Sequence, residues 1–388
     1  MITSIQDVFF RLDQYITGRE YKGYDPYDTL NGFIPFEKLG RLPAAIAIQI
    51  QKKNPLNIRP LIGVKPGINP KGMGLILKAY AMQARNDSAY LGKATKIFEW
   101  LTRNGSKGYK GACWGYNFNW VNPEETIPAF TPSVVVTSFV IDGIFEYYKL
   151  TKDKLAAEII MSAAVFVLED IPVTNFGNEA LSFAYTKKTK GSCYNASLLA
   201  AEVLAKADNV SKDLKNFDLV RKAVNFVLDK QRPDGCWYYS YDNESGLERK
   251  QIDFHQGFVL VSLYNIMNLY PGKFDLLEKP ITKGLDFYSK SQFDSDGRAK
   301  WRLPKEFPTD IHNQSQGIIT FAKLRKFDLT YRALAVKIAD YTVNNFFDSD
   351  GYFYFRKNRF MVNKIPYIRW AQAWMLLALA EILRAENE

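Results

Sequence analysis

The sequence predicts an all-α fold of six helical hairpins closed into a ring, and two observations carry that prediction. Six apolar segments recur along the 388 residues, starting at Gly72 (GMGLILKAYAMQA), Thr137 (TSFVIDGIFEYYKL), Asn195 (NASLLAAEVLAKA), Gln256 (QGFVLVSLYNI), Gln316 (QGIITFAKL) and Gln372 (QAWMLLALAEILRA). Their spacings of 65, 58, 61, 60 and 56 residues are too regular for unrelated helices, so one supersecondary unit is being reused. Between them lies a second set: LGKATKIFEWLTRN, AAEIIMSAAVFVLED, VRKAVNFVLDKQ, ITKGLDFYSKSQ and LAVKIADYTVNNF. These have the i, i+3, i+4 apolar spacing of surface helices, with Lys, Asp and Glu on the other face. The first set therefore forms an inner ring and the second an outer ring with one wet face.

Along the chain, residues 1–39 read as an N-terminal arm containing YDPYD, followed by LPAAIAIQIQKK as the outer helix missing from the repeat. The arm packs on a single domain spanning 1–388. Links from each outer helix to the next inner one are long and rich in Gly, aromatic and polar residues, as in GYKGACWGYNFNW and DSDGYFYFRKNRFMVNKIPYIRW, and are expected to hold short β-hairpins. The return links, such as LTKDK, are short. One end of the ring thus carries nearly all the chemically rich residues.

With 47% hydrophobic and 24% charged residues, the chain falls among globular proteins. No apolar run approaches the ~20 residues of a membrane span. The opening MITSIQDVFFRLDQYITGRE lacks a secretory pattern, so a cytoplasmic location is expected. Cys113, Cys193 and Cys236 are too few for a disulfide framework and lack the short spacing of a metal knuckle. The net charge of +10 suggests an anionic partner. Nucleic acid is not expected, because TKKTK and RKNR are short, isolated basic runs. Nucleotide-binding and hydrolase-elbow motifs are absent, and neither a cofactor nor a metal is expected.

Six hairpins with functional loops at one end resemble the (α/α)6 toroid of many carbohydrate-active enzymes. Seven ordered blocks sharpen the resemblance: GYDPYDTLNG, NIRPLIGVKPGINPKG, WGYNFNW, RPDGCW, DFHQGFVL, DIHNQSQGIIT and IPYIRWAQAWM. They are similar to a bacterial polysaccharide-biosynthesis family of six-hairpin, glycosidase-like toroids. More distantly, the chain is similar to the C-terminal helical part of glucuronyl C5-epimerases. The resemblance implies an oligo- or polysaccharide partner and a role in cell-surface polysaccharide biosynthesis.

The only two histidines, His255 and His312, each lie just before or at the start of an inner segment, 57 residues apart, with a carboxylate two residues upstream in Asp253 and Asp310. Histidine titrates near neutrality, and a carboxylate beside it sets its tautomer or raises its pKa, which suits a general acid or base. The alternative is that these residues cap and orient the loops. Asp25, Asp28 and Asp234 lie at the same end, and a glycosidase needs two carboxylates across a bond. Asp234-Gly235, Asp296-Gly297 and Asp350-Gly351 read more simply as turns. Calcium is not expected there, since the distal Glu of an EF-hand loop is lacking.

Flat aromatic faces match sugar C–H faces while amides and guanidiniums take the hydroxyls. Trp114 with Asn117, Trp237, Gln256, Trp301, and Trp370 with Gln372 are the candidate subsites. Arg59, Lys65, Lys71, Arg356, Arg359 and Arg369 place cations at the same mouth, pointing to an acidic sugar. Tyr354 and Tyr367, beside cations, are expected to have lowered pKa values, and Tyr367 joins the histidines as a proton carrier. The reading is an epimerase- or lyase-type enzyme acting on a uronate glycan, with a paired-Asp glycoside hydrolase and a non-catalytic glycan-binding scaffold as alternatives.

Overall fold

A computed structural model describes residues 4–121 and 126–387. Thirteen α-helices are present among them: α1 (Ile5–Thr17), α2 (Arg41–Lys53), α3 (Pro70–Gln83), α4 (Ala89–Arg103), α5 (Val134–Thr151), α6 (Lys154–Asp170) and α7 (Tyr194–Ser211), followed by α8 (Phe217–Leu228), α9 (His255–Leu269), α10 (Glu278–Gln292), α11 (Ile311–Lys323), α12 (Thr330–Phe346) and α13 (Trp374–Asn387). Helices α3, α5, α7, α9, α11 and α13 pack in sequence and close on each other through α13 and α3. Helices α4, α6, α8, α10 and α12 each lie outside the inner helix before them. The result is the (α/α)6 toroid.

The sixth outer helix is not the expected one. Val8, Phe9, Leu12 and Ile16 of α1 enter the main core, and α1 packs on α13. LPAAIAIQIQKK forms α2, whose only buried apolar residues, Ala44 and Ile48, pack against Leu30 in a separate small cluster. The reason is width of stripe: α1 carries a continuous apolar face wide enough for the ring, whereas α2 alternates Ile with Ala and Gln.

Local chemistry explains the joints. Asn69, Ser133 and Asp310 accept N-terminal amides of α3, α5 and α11 as caps, and Pro70 opens α3. Gly74 of α3 and Gly143 of α5 allow the two backbones to touch, since a Cβ on Gly143 would stand 2.3 Å from the Gly74 carbonyl oxygen. Gly235, Gly297 and Gly351 all have positive φ, as the Asp-Gly turn reading requires.

A recurring clamp ties each long loop to its inner helix. Gln256 accepts from the Trp237 N–H at 2.9 Å and donates to the Trp237 carbonyl at 2.5 Å. Gln372 does the same to Phe353, at 2.8 Å in both directions. Gln314 bridges the Ala299 N–H and the Gly297 carbonyl, and Thr137 holds both backbone groups of Trp114. Trp114 and Trp237 donate their indole N–H groups to Leu101 and Val227, carbonyls at the ends of α4 and α8.

The inner helices are less uniformly apolar than their sequences suggest. Lys78, Asp142, Glu202 and Lys206 form a buried network along the axis, with Lys78–Asp142 at 2.8 Å and Lys206 3.0 Å from both Asp142 and Glu202. Beside it lies a cavity of about 30 Å³, room for about one water, reached by Phe139, Phe258 and Trp374 from the loop end.

The loop end is edged by short strands. Thr309–Asp310, Arg356–Lys357 and Val362–Asn363 form a three-stranded sheet in which Asp310 lies opposite Arg356. Ser192–Cys193, Ser240–Tyr241 and Glu248–Arg249 form another. Hairpins join Trp120–Val121 to Thr126–Ile127 and Val173–Phe176 to Ala180–Phe183.

Candidate active site

The two Asp-x-His motifs start adjacent inner helices of the ring and use their carboxylates differently. Asp253 Oδ1 lies 2.5 Å from His255 Nδ1 and accepts from the His255 backbone N–H at 3.2 Å. Its other oxygen accepts from Gln251 at 2.7 Å, and Arg302 stands 3.4 Å away. Burial raises the Asp253 carboxyl pKa, but His255 and Arg302 outweigh it, and the net shift is downward. The carboxylate fixes the Nδ1 side of His255, while the ring keeps 18% side-chain exposure and its Nε2 has no partner among the described residues.

Asp310 instead caps its helix. Its Oδ1 accepts the His312 backbone N–H and the Trp370 indole N–H, both at 2.9 Å, and its Oδ2 takes Arg356 Nε at 2.5 Å. It does not touch the His312 imidazole, whose two nitrogens are buried without partners among the described residues. That ring lies against Phe254 (4.3 Å between centroids), Trp370 (4.6 Å) and Trp374 (4.7 Å). Burial, and then Lys71, Arg369, His255 and Lys52, hold its pKa well below the ordinary histidine value. Phe254 stacks on His255 as well, at 4.2 Å, and so separates the two imidazoles.

Lys71, in the first turn of α3, is buried with its ammonium nitrogen over Phe139 (4.2 Å) and Trp374 (5.4 Å), and it has no counter-ion among the described residues. Burial, followed by repulsion from Arg369, lowers its pKa strongly. Lys52, on the inward side of α2, contacts the Tyr27 hydroxyl and lies 5.4 Å from the Trp370 ring. Burial, then Arg356, lowers it to about 7.

The YDPYD segment stitches the N-terminal region to the ring. Asp25 takes Arg369 in a fork, at 2.6 and 2.8 Å, and Asp28 takes Arg59 at 2.6 Å. Burial raises the Asp28 carboxyl to about 6. Arg369 lies over Tyr116 at 4.9 Å, in a π-helical turn, Ile368–Ala373, that leads into α13.

His255, His312, Asp253, Asp310, Asp25, Arg369 and Trp370 therefore converge at the mouth. Lys52 and Phe254 join them, unmarked as site residues in the sequence. Nothing local distinguishes Lys52 from Lys53 beside it, and Phe254 reads as ordinary core.

Other candidates belong to the frame. Trp114 and Trp237 are buried hairpin core with their indoles committed, and Gln256 and Gln372 have both amide ends consumed by the clamps. None of the four has a polar side-chain group left to offer a sugar, because at these positions the backbone takes those groups first. Arg59 is fully buried, and its guanidinium covers the Tyr367 ring at 4.7 Å. Tyr367 itself is fully buried with an unpartnered hydroxyl; burial raises its pKa, contrary to the lowered value expected beside a cation. Tyr354 is likewise raised, by burial first, and donates to Asp348 at 2.6 Å. Arg359 is exposed at a hairpin turn near Phe307. Trp301 is half-buried with Arg356 on its ring at 4.4 Å, and Asn117 accepts from Asn69 at 2.7 Å. Cys113, Cys193 and Cys236 are separate buried thiols, and among the described residues no group of three or more His, Cys, Asp or Glu side chains is placed to hold a metal.

The chain is similar to cellobiose 2-epimerase from Bacillus thermoamylovorans B4167, at 14% identity over 81% of this chain and 88% of that one, with a TM-score of 0.64. It is similar to the Lin0763 protein from Listeria innocua, at 14% identity over 98% of both chains and 0.65. A GH76 alpha-mannanase from Bacteroides thetaiotaomicron gives 14% identity over 82% and 87% of the two chains and 0.59. The likeness is one of fold. No family model matches the chain. Among curated proteins, lanosterol synthase from Candida albicans is 27% identical over 151 residues, a match that spans 38% of this chain and 18% of that enzyme.

Proposed function

We propose that this protein is a carbohydrate-active enzyme of cell-surface polysaccharide biosynthesis. It works in the cytoplasm and moves a proton at a carbon beside the carboxyl or carbonyl group of a sugar, as an epimerase or lyase does. The observation that carries the reading is the Asp253–His255 dyad: a carboxylate on Nδ1 leaves Nε2 to take or return a proton at the mouth of the toroid. His312, held neutral in its aromatic nest, is the second proton carrier. The names of several fold neighbours, cellobiose 2-epimerase, a sugar epimerase and D-mannose isomerase, agree with proton transfer at a sugar carbon.

An acidic sugar suits the charge of the mouth. Arg369 already holds Asp25, so the sugar carboxylate falls to Lys71, which lacks a counter-ion among the described residues, with Lys52 a second cation acting on His312. A carboxylate bound there favours the charged ammonium, and the ammonium in turn stabilises the enolate-like transition state. Hydrolysis fits less well, because Asp25 and Asp310 are each committed to an arginine, Asp253 to His255, and Asp234 is an exposed turn residue that accepts the Cys236 N–H.

The test is solvent deuterium incorporation, followed by NMR, into a panel of uronate-containing and neutral glycans. Wild-type protein is expected to label the carbon beside the carboxyl or carbonyl group. His255→Gln and Asp253→Asn are expected to slow labelling by about 10²–10⁴-fold. New reducing ends without label would overturn the reading in favour of hydrolysis, and binding with neither would leave a glycan-binding scaffold.

A further inference from the structure

Seven of the twenty-one exposed large apolar side chains among the described residues lie between Phe33 and Leu61. The centre of this concentration is α2, where Leu42, Ile46 and Ile50, spaced i, i+4, i+8, are 71, 49 and 63% exposed. One side of the helix is thus an unbroken apolar stripe facing water. Phe33, which donates its N–H to Ile62, extends the surface on one side. Leu56 extends it past the end of the helix, where the Asn54 carbonyl accepts from Asn363 and brings up the hairpin whose turn carries Phe360, 99% exposed.

The same stretch of chain is basic. From Asn31 to Pro66 the only acidic residue is Glu37, while Lys38, Lys53 and Lys65 are exposed and make no ion pair among the described residues. Exposed apolar side chains interleaved with lysines are the chemistry of a helix that lies in the headgroup region of an anionic bilayer. A second copy of the chain is the poorer occupant, since a two-fold contact sets each lysine set against its own image.

We infer that α2 docks this protein on an anionic membrane surface, its apolar stripe sunk among the headgroups and its lysines against lipid phosphates. The opposite side of the helix carries Lys52 to the Trp370 ring, so the docked helix also borders the mouth. A glycan carried on a lipid would then be presented to His255 and His312. That last step rests on the proposed function; the docking does not.

Vesicle flotation of the full chain tests it without any substrate. The protein is expected to float with phosphatidylglycerol-containing vesicles and not with pure phosphatidylcholine, and to be released by high salt. Ile46→Glu/Ile50→Glu is expected to weaken binding roughly tenfold or more, with an unchanged melting temperature because both side chains already face water. Lys38→Glu/Lys53→Glu is expected to weaken it while leaving the apolar stripe intact. Absence of flotation with either vesicle would overturn the inference. So would concentration-dependent dimerisation, abolished by Ile46→Glu/Ile50→Glu, in protein that ignores vesicles. Flotation by a protein that labels no glycan would uphold the docking and remove the reaction assigned above.

Discussion

Asp253 and Asp310 hold equivalent places before adjacent inner helices, and both form the Asp-x-His contact that the sequence displays. The difference is which atom of the histidine each reaches. Asp253 holds a ring nitrogen and thereby a proton site, whereas Asp310 holds only the backbone and, through Arg356 and Trp370, one wall of the mouth. A side-chain torsion decides between these, and no local sequence signal encodes it. The consequence for His312 is a pH signature. An imidazole held below its ordinary pKa takes up protons more readily in the unfolded chain, so its contribution to stability is complete above about pH 6.5 and declines as pH falls toward the folded value. Between about pH 7.5 and 5.5 the melting temperature of the wild type is expected to fall by more than that of His312→Gln. Equal falls would mean that the ring titrates normally.

At the scale of the element, the repeat is held by polar clamps as well as by apolar faces. The glutamines at 256, 314 and 372 stand in the first turns of the inner segments, where the sequence reading assigned Gln256 and Gln372 to ligand binding. The structure uses them to satisfy loop backbone groups that the ring buries. Gln372→Leu would leave the Phe353 N–H and carbonyl without partners, at about 1–3 kcal/mol for each buried group. The expected result is a lower urea midpoint with sugar binding retained by the protein that remains folded. Full stability with weakened sugar binding would instead return Gln372 to the mouth. The tryptophans 114 and 237 teach the same lesson, since an aromatic beside polar residues reads as a sugar platform until its indole is found capping a helix end.

For the molecule as a whole, the inner ring closes through α13 and α3, and α1 completes the outer ring against α13. Phe9 of α1 is fully buried and meets Tyr90 edge-on at 5.7 Å, so α1 belongs to the main core that α13 shares. Phe9→Ala is expected to cost about 3–5 kcal/mol. The loss should appear as a shifted denaturation midpoint for the entire ring, with tryptophan fluorescence and far-ultraviolet circular dichroism moving together. An early separate transition, with the main one unmoved, would make α1 an appended arm.

The sequence alone determined the number of hairpins, their order and the end that carries the long loops. Period, apolar spacing and turn residues are local properties, and local properties are written in order along the chain. It also marked the two histidines and several of their companions, because those residues sit at fixed places in the repeat. Tertiary structure decided which helix completes the outer ring, which carboxylate holds an imidazole, and which tryptophans, glutamines and arginines are consumed by the frame. It also brought Lys52 to the mouth from a helix whose outer side is apolar. Some of these outcomes turn on partners more than three hundred residues apart, as Asp25 with Arg369, and others on loop-to-helix pairs ten to nineteen residues apart or on a single side-chain torsion, and burial then sets the pKa values that follow. Those quantities come into being only when the ring closes.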